Sequence, residues 1–254
     1  MNKDYIDLHS HVLWGVDDGS RSINESVDMC ALAEDSGTGT LFLTPHLMYW
    51  DRAEELFDIR NEKTEYLKEV LADNDIELDL KTGFEILCDD DIFLTKYFNP
   101  YTLCGSKYIL IEFDFFKTTL EDVLSWCSYL QSFGLVPIIA HPERYRFMLL
   151  DGKCVDVLSD KGILFQINAG SPAGMFGDTT AEFALKMIKG GFVDFIGSDA
   201  HDIRARNTDM AFCFDNYPYE ADNGFLYRAS YLNPLKVIQN EDVSVQRLSY
   251  FSDL

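Results

Sequence analysis

The chain has five histidines, and each lies within two residues of a carboxylate, a hydroxyl or another histidine. His9 and His11 fall in Asp7-Leu8-His9-Ser10-His11, His46 in Thr44-Pro45-His46, His141 in Ala140-His141-Pro142-Glu143-Arg144, and His201 in Ser198-Asp199-Ala200-His201. Carboxylates recur in similar settings at Gly83-Phe84-Glu85 and Ile111-Glu112-Phe113. Neutral imidazoles mixed with carboxylates and no thiolate suit manganese, iron or zinc, with magnesium as a further option, and ligand type does not choose among them. A carboxylate such as Glu85 can bridge two ions. Paired ions about 3.5 to 4 Å apart can deprotonate a water near neutral pH and stabilise both the attacking and the leaving oxygen of an in-line displacement. That is hydrolytic chemistry without a cysteine. The six cysteines, at 30, 88, 104, 127, 154 and 213, form no Cys-x-x-Cys pair, and none is followed six residues later by the arginine of a thiol-phosphatase phosphate loop. They read as buried thiols in a reducing compartment.

Such a cluster needs strands to hold it. Apolar runs of strand length alternate with segments of helical period along the whole chain, the signature of a repeated β-α unit. The expected strands are Tyr5 to Leu8, Thr40 to Thr44, Leu78 to Phe84, Tyr108 to Phe113, Val136 to Ala140, Ile163 to Ile167 and Val193 to Gly197. Seven strands fit a closed barrel better than an open sheet, and the histidines and acids then fall at strand ends, where such barrels gather catalytic groups. If about a quarter of positions lie near that rim, five histidines would all land there about once in a thousand sequences. His9 and His11, two apart, point to one side of their strand. Capping boxes are expected at Ser22 to Glu25, Thr118 to Glu121 and Thr179 to Glu182, with stops at Gly37, Gly134 and Gly190-Gly191. Residues 216–223 read as a loop, and Asn233-Pro234 to Asn240 as a short last helix.

Composition sets the outer bounds. The chain has 254 residues, 47% of them hydrophobic and 25% charged, which predicts one globular α/β domain over 1–254. No apolar run reaches the roughly 20 residues of a membrane helix. Met1 to Leu13 carries charges and histidines where a signal peptide would be apolar, so a cytoplasmic protein without membrane insertion is expected. A net charge of −22 argues against nucleic-acid binding, which draws on lysine and arginine.

At His9-Ser10-His11, Val16-Asp17-Asp18-Gly19, Thr44-Pro45-His46, Leu110-Ile111-Glu112-Phe113, Ile139 to Tyr145 and Gly197 to His201, the chain resembles the polymerase and histidinol phosphatase (PHP) superfamily. More narrowly, it is similar to the CpsB/CapC type of metal-dependent bacterial protein-tyrosine phosphatases from capsular and exopolysaccharide gene clusters. Asp17-Asp18-Gly19, His141-Pro142-Glu143-Arg144-Tyr145 and Phe165-Gln166-Ile167-Asn168-Ala169-Gly170-Ser171 single out this branch. The resemblance implies a distorted seven-stranded TIM-like barrel carrying two or three divalent ions, manganese first among the candidates. One ion would take His9, His11, Glu85 and Asp199. A second would share Glu85 and add Glu112 and His141, and a third would use Asp18, His46 and His201. Arg144 and Arg206 would bind phosphate, and with Asp18 they are the expected catalytic residues. Many relatives carry a second histidine where this chain has Leu47.

The implied reaction is attack of a metal-generated hydroxide on the phosphorus of phosphotyrosine, with no phosphoenzyme. The implied substrate is the tyrosine-rich tail of a capsule-assembly kinase. Tyrosine leaves as a phenolate with a pKa of about 10, so little protonation is required. Asp17 and Glu143 are candidates for a general acid or for supporting a ligand. Met48-Tyr49-Trp50 is either an aromatic wall for a substrate ring or a loop packing its own aromatics. The alternatives are a PHP phosphoesterase acting on histidinol phosphate or another small ester, and a metal-binding kinase regulator without catalysis. A metal amidohydrolase is disfavoured, because Lys81 and Lys107 lie before their strand ends.

Overall fold

The structure is a computed structural model that describes residues 5–215, 217, 223–243 and 245–254. Strands and helices alternate through most of it. The strands are β1 (Tyr5–Asp7), β2 (Thr38–Leu43), β3 (His46–Leu47), β4 (Asp79–Thr82), β5 (Glu85–Leu87), β6 (Tyr108–Glu112), β7 (Val136–Ala140), β8 (Leu164–Asn168) and β9 (Phe195–Gly197). The helices are α1 (Ile23–Asp35), α2 (Ala53–Asp73), α3 (Leu120–Gln131), α4 (Arg146–Leu150), α5 (Lys153–Asp160), α6 (Asp178–Gly190), α7 (Met210–Asp215), α8 (Asn223–Tyr227) and α9 (Asn233–Ile238), with a π turn over Arg228–Leu232 between the last two. The predicted loop 216–223 lies outside the described residues apart from Tyr217 and the start of α8.

Every strand pair is parallel, in two sheets ordered β1-β2-β4 and β3-β5-β6-β7-β8-β9. The described residues therefore form nine strand segments where seven strands were expected. Two of the expected strands continue past a break. Pro45 has no N–H for the ladder, so β2 ends and β3 begins around it. Its partner breaks at Gly83, where a Cβ would lie 2.5 Å from the Leu103 side chain. Bonds from Gly83 N to Leu43 O (3.0 Å) and Glu85 N to Pro45 O (3.1 Å) cross the gap. The sheet curls until its first and last strands meet, through a parallel bridge of Ser10 with Ala200 and bonds from His11 N to Ala200 O (2.9 Å) and Asp199 N to His9 O (2.8 Å).

Side-chain alternation along β6, β7 and β8 separates two apolar layers. Ile109, Ile111, Ile139, Phe165 and Ile167 join the large core that includes Val123, Cys127 and Leu130 of α3 and Ala184 and Met187 of α6. Tyr108, Leu110, Ile138 and Leu164 face a second core with Ile6, Leu8, Phe42 and Val237. Glu112, Gln166 and Asn168 continue that second face toward the strand ends. The layer thus changes from apolar to polar within a single strand length.

Helix ends follow local chemistry with two shifts from expectation. Ser22 caps α1 by accepting from Glu25 N (3.2 Å), while the Glu25 carboxylate returns to Arg21 N (2.8 Å). The second capping box forms one residue later than predicted: Asp122 accepts from Thr119 N (2.9 Å) and Thr119 Oγ1 from Asp122 N (3.3 Å), with Thr118 buried. The third does not form, because the chain turns at Gly177 (φ +93°) and Thr179 is already inside α6. The stops at Gly37, Gly134 and Gly191 all have positive φ, the conformation glycine tolerates best.

Candidate metal centre

Histidines and carboxylates from six strand ends converge on one rim. His9 and His11 follow β1, Glu85 opens β5, Glu112 closes β6, His141 follows β7, and Asp199 and His201 follow β9. His46 opens β3 and pairs across the ladder with Glu85. Two backbones turn sharply to aim their side chains inward: His141 (φ 36°) and Asp199 (φ 52°) sit in the left-handed region that non-glycine residues rarely adopt. Asp18 reaches the cluster because Gly19 lies flat against the His11 backbone, past the end of β1. A Cβ there would come within 2.1 Å of the His11 carbonyl oxygen.

The centre is crowded with acceptors. His9 Nε2 and His11 Nε2 are 3.0 Å apart, and Glu85 Oε2 is 3.1 Å from each. The opposite nitrogens fix the tautomers. His9 Nδ1 faces the Gln166 amide oxygen at 2.8 Å, and His11 Nδ1 faces Asp17 Oδ2 at 2.7 Å. Both partners only accept, so each Nδ1 carries the proton and each Nε2 presents a lone pair. Two lone pairs and a carboxylate oxygen then meet at hydrogen-bond distance with no hydrogen among them. His141 Nδ1 is also buried without a hydrogen-bond partner. Extra protons or a cation must resolve this, and the donor set is that of a divalent ion.

Three groups of side chains place ligand atoms within 4.8 Å of one another: His9, His11, Glu85 and Asp199; His46, Glu85 and Glu112; and His11, Asp18, His46 and His201. The first is the expected grouping. In the second, His46 stands where His141 was expected, with Nδ1 2.7 Å from Glu112, while His141 Nε2 lies 2.8 Å from Glu85 Oε1 and 3.9 Å from Glu112. The third gains His11. Without a cation the titrations shift as this crowding requires. Burial opposes charge on Glu85, but His9 and His46 hold its carboxyl well below the usual range. Burial likewise works against the His46 cation, yet Glu85, Asp18 and Glu112 lift its pKa to about 10. Hydrogen bonds from His201 and His46 keep the Asp18 carboxyl far down as well.

A ring of residues supports these candidate ligands. Asp17 accepts from His11 Nδ1, from Gly19 N at 3.0 Å and from His46 N at 3.0 Å. Although burial opposes its charge, the neighbouring His11 and these bonds hold its pKa near 2, so it supports a ligand rather than donating a proton. Gln166 links His9 to Asn168 Oδ1 (3.1 Å), and Asn168 Nδ2 donates to Asp199 Oδ2 (2.6 Å). Glu143 is fully buried, accepts from Asn168 N (2.9 Å) and Ser171 Oγ (2.6 Å) through Oε1 alone, and is not among the residues that line the cavity, while burial raises its pKa. Sequence reasoning gave Gln166 and Asn168 no role. Their signal was two polar residues at period two in an otherwise apolar strand, the pattern of His9 and His11.

The cluster floors a cavity of about 250 Å³ lined by Asp18, His46, Glu85, Glu112, His141, Asp199 and His201, with Arg144, Arg206, Met48 and Phe115 as walls. Both arginines converge on Asp199 Oδ2, Arg144 Nη1 at 3.2 Å and Arg206 Nη2 at 2.5 Å. Met48 is thus the only member of Met48-Tyr49-Trp50 at the cavity. Tyr49 is exposed, and Trp50 packs edge-on against Phe98 and Tyr101. The apolar wall is instead completed by Phe115. No thiol lines this cavity, and burial raises the pKa of all six cysteines. A larger cleft of about 510 Å³, lined by Asp89, Asp90, Asp91, Asp114, Asp122 and Trp126 among others, holds no histidine or arginine.

Comparison with known proteins agrees with this geometry. The family described as "Capsular polysaccharide synthesis, CpsB/CapC" matches residues 5–239. The tyrosine-protein phosphatase YwqE of Bacillus subtilis is 34% identical over 208 residues, 80% of this chain and 79% of that protein. The tyrosine-protein phosphatase CpsB of Streptococcus pneumoniae is 30% identical over 221 residues, 83% of this chain and 88% of that one. A crystal structure from work on those same two proteins, described as metal-dependent tyrosine phosphatases, superimposes with a TM-score of 0.86 at 29% identity and covers 95% of this chain and 97% of its own. The chain belongs to the CpsB/CapC family.

Proposed function

We propose that this CpsB/CapC family member is a metal-dependent tyrosine-protein phosphatase, with its ions held by His9, His11, Asp18, His46, Glu85, Glu112, His141, Asp199 and His201. The observation that carries this reading is the proton-free meeting of His9 Nε2, His11 Nε2 and Glu85 Oε2 within 3.1 Å, beneath two arginines that share one carboxylate oxygen. Two or three divalent ions, manganese first among the candidates, would supply Lewis acidity and a water acidic enough to serve as nucleophile near neutral pH.

The chain's own residues do the rest. Arg144 and Arg206 offer charge-assisted donors to the nonbridging phosphoryl oxygens. Met48 and Phe115 give the phenyl ring an apolar surface beside the metal ligands. Asp17 and Gln166 keep both Nε2 lone pairs pointed at the centre. With Asp17 held as a carboxylate and Glu143 off the cavity lining, the site has no evident general acid, which suits a phenolate leaving group better than an alkoxide.

The same proposal extends to setting and fold. The substrate would be the tyrosine-rich tail of a kinase that assembles capsule or exopolysaccharide, in the cytoplasm. No described helix is long and apolar enough to cross a membrane. Joining β2 with β3 and β4 with β5 gives seven strand positions, and the Ser10 to Ala200 bridge supports reading them as a distorted seven-stranded barrel. The decisive experiment measures metal content and phosphotyrosyl-peptide hydrolysis before chelation, after it, and after manganese is restored. Activity that survives complete metal removal would overturn the proposal. Faster turnover of histidinol phosphate than of the peptide would move it to a small-ester phosphoesterase.

A further inference from the structure

The loop between β8 and α6 ends in Phe176, a half-buried ring that no metal ligand touches among the described contacts. Its face meets the Arg144 guanidinium at 4.8 Å and the Arg206 guanidinium at 5.8 Å. The Arg144 guanidinium also lies over Phe115 at 4.6 Å, so it contacts two rings. Arg206 has Phe176 as its aromatic contact among the described residues.

The arrangement answers an electrostatic difficulty. Two like charges end on the same oxygen, Asp199 Oδ2, which also accepts from Asn168. Left to themselves, long flexible cations at a cavity mouth would separate into water. A ring within reach of both attracts each through its negative face while excluding solvent.

The loop is built to hold that ring still. Ser171 Oγ and Asn168 N bind the buried Glu143 carboxylate, next in the chain to Arg144. Met175 N bonds to Gly170 O at 3.1 Å, and the Met175 side chain lies over Gly170, where a Cβ would come within 2.7 Å of its sulfur. Glu143 therefore anchors the foot of the loop whose tip returns to cover Arg144.

We propose that Phe176 is a positioning residue that holds Arg144 and Arg206 together as one binding element for the phosphoryl group, an inference that rests on the phosphatase reading above. Its effect falls on phosphate binding and not on metal binding. The test uses the full-length manganese-loaded protein with Phe176→Leu, which keeps apolar volume but removes the π face, and Phe176→Trp, which restores one. Titration calorimetry with inorganic phosphate should show affinity about tenfold weaker in the leucine variant and within about twofold of the parent in the tryptophan variant. KM for a phosphotyrosyl peptide should rise in parallel while metal content holds. The side-chain Nε–Hε NMR signals of both arginines should lose their ring-current shifts in Phe176→Leu and regain them in Phe176→Trp. Unchanged phosphate affinity in the leucine variant, failure of tryptophan to restore it, or unmoved arginine signals would each overturn the proposal. A parent protein that binds phosphate through this clamp but hydrolyses no phosphotyrosine would refute the phosphatase reading and leave the clamp standing.

Discussion

Asp17→Asn separates metal binding from stability at a residue that is not itself a ligand. Asp17 Oδ2 accepts from both His11 Nδ1 and His46 N, and Oδ1 accepts from Gly19 N. If the new amide nitrogen replaces Oδ2, it confronts the proton on His11 Nδ1 and also the backbone N–H of His46, the latter at a cost of about 1 to 3 kcal/mol with or without metal. The ring escapes by moving that proton to Nε2, where it points at His9 Nε2 (3.0 Å) and Glu85 Oε2 (3.1 Å). That proton relieves the metal-free cluster and blocks the atom a metal would need. The opposite amide orientation keeps the tautomer but leaves Gly19 N facing a donor, which costs about 1 to 3 kcal/mol with or without metal. Loss of such a supporting partner weakens metal binding by about 10- to 100-fold. At saturating metal that removes about 1.4 to 2.7 kcal/mol of metal-linked stability. Spread over a chain of this size, the manganese-dependent rise in melting temperature should shrink by about 3 to 10 °C. The assay is thermal unfolding of parent and variant with and without a fixed free manganese concentration, backed by chelator competition. An equal manganese-dependent increment in both proteins would refute the tautomer reasoning.

Other residues give independent tests. Burial raises the Asp7 pKa to about 6 against bonds from Ser198 N and His9 N, and its Oδ2 has no partner. Its native pKa exceeds the unfolded value, so its contribution to stability is greatest below about pH 4 and falls by about 3 kcal/mol as pH rises through 6. Asp7→Asn should therefore match the parent in urea unfolding near pH 4 and exceed it near pH 7, and an equal difference at both pH values would dismiss the idea. Gly19→Ala should lose at least about 2 kcal/mol and bind less metal, because its Cβ collides with the His11 backbone, as unfolding and elemental analysis would show. Iodoacetamide near neutral pH should leave the native enzyme active where a chelator does not, since burial pushes the Cys30 thiol up to about 12 and those of Cys104, Cys154 and Cys213 up to about 11. Inactivation that tracks labelling of one cysteine would point to a thiol nucleophile.

The histidines and acids were legible because chemistry-bearing residues at strand ends leave short-range signatures: His9 and His11 alternate, and Asp199 and His201 repeat that spacing. What escaped depends on contacts distant in sequence. The break at Gly83 answers to Leu103, a residue outside its strand. His46 lies near two ligand groups, and His11 enters a second, because the curl of the sheet sets distances that spacing along one strand does not encode. Phe176 meets Arg144 through a loop whose path is fixed by Glu143 and Gly170. The cap on α3 moved by one residue for a local reason: Thr118 and Thr119 are both capable, and burial of Thr118 leaves the end to its neighbour.

The charge pattern explains why such an acidic chain can receive an anion at all. The cavity brings Asp18, Glu85, Glu112 and Asp199 against Arg144 and Arg206, four carboxylates to two guanidiniums, inside a protein whose net charge is −22. Without metal, protonated imidazole such as His46 offsets part of this negative charge, and both arginines are turned to Asp199 and away from any incoming phosphate. Divalent ions held by these carboxylates and histidines would add positive charge at the site and compete with the guanidiniums for Asp199, leaving guanidinium donors for phosphoryl oxygens. Attraction then acts only at short range, because salt screens exposed charges beyond about 8 Å at physiological ionic strength. A phosphotyrosine that extends from a mobile chain can enter that range while the rest of its chain stays clear of the acidic surface. The same balance disfavours compact polyanions, whose remaining charge would be pressed against that surface.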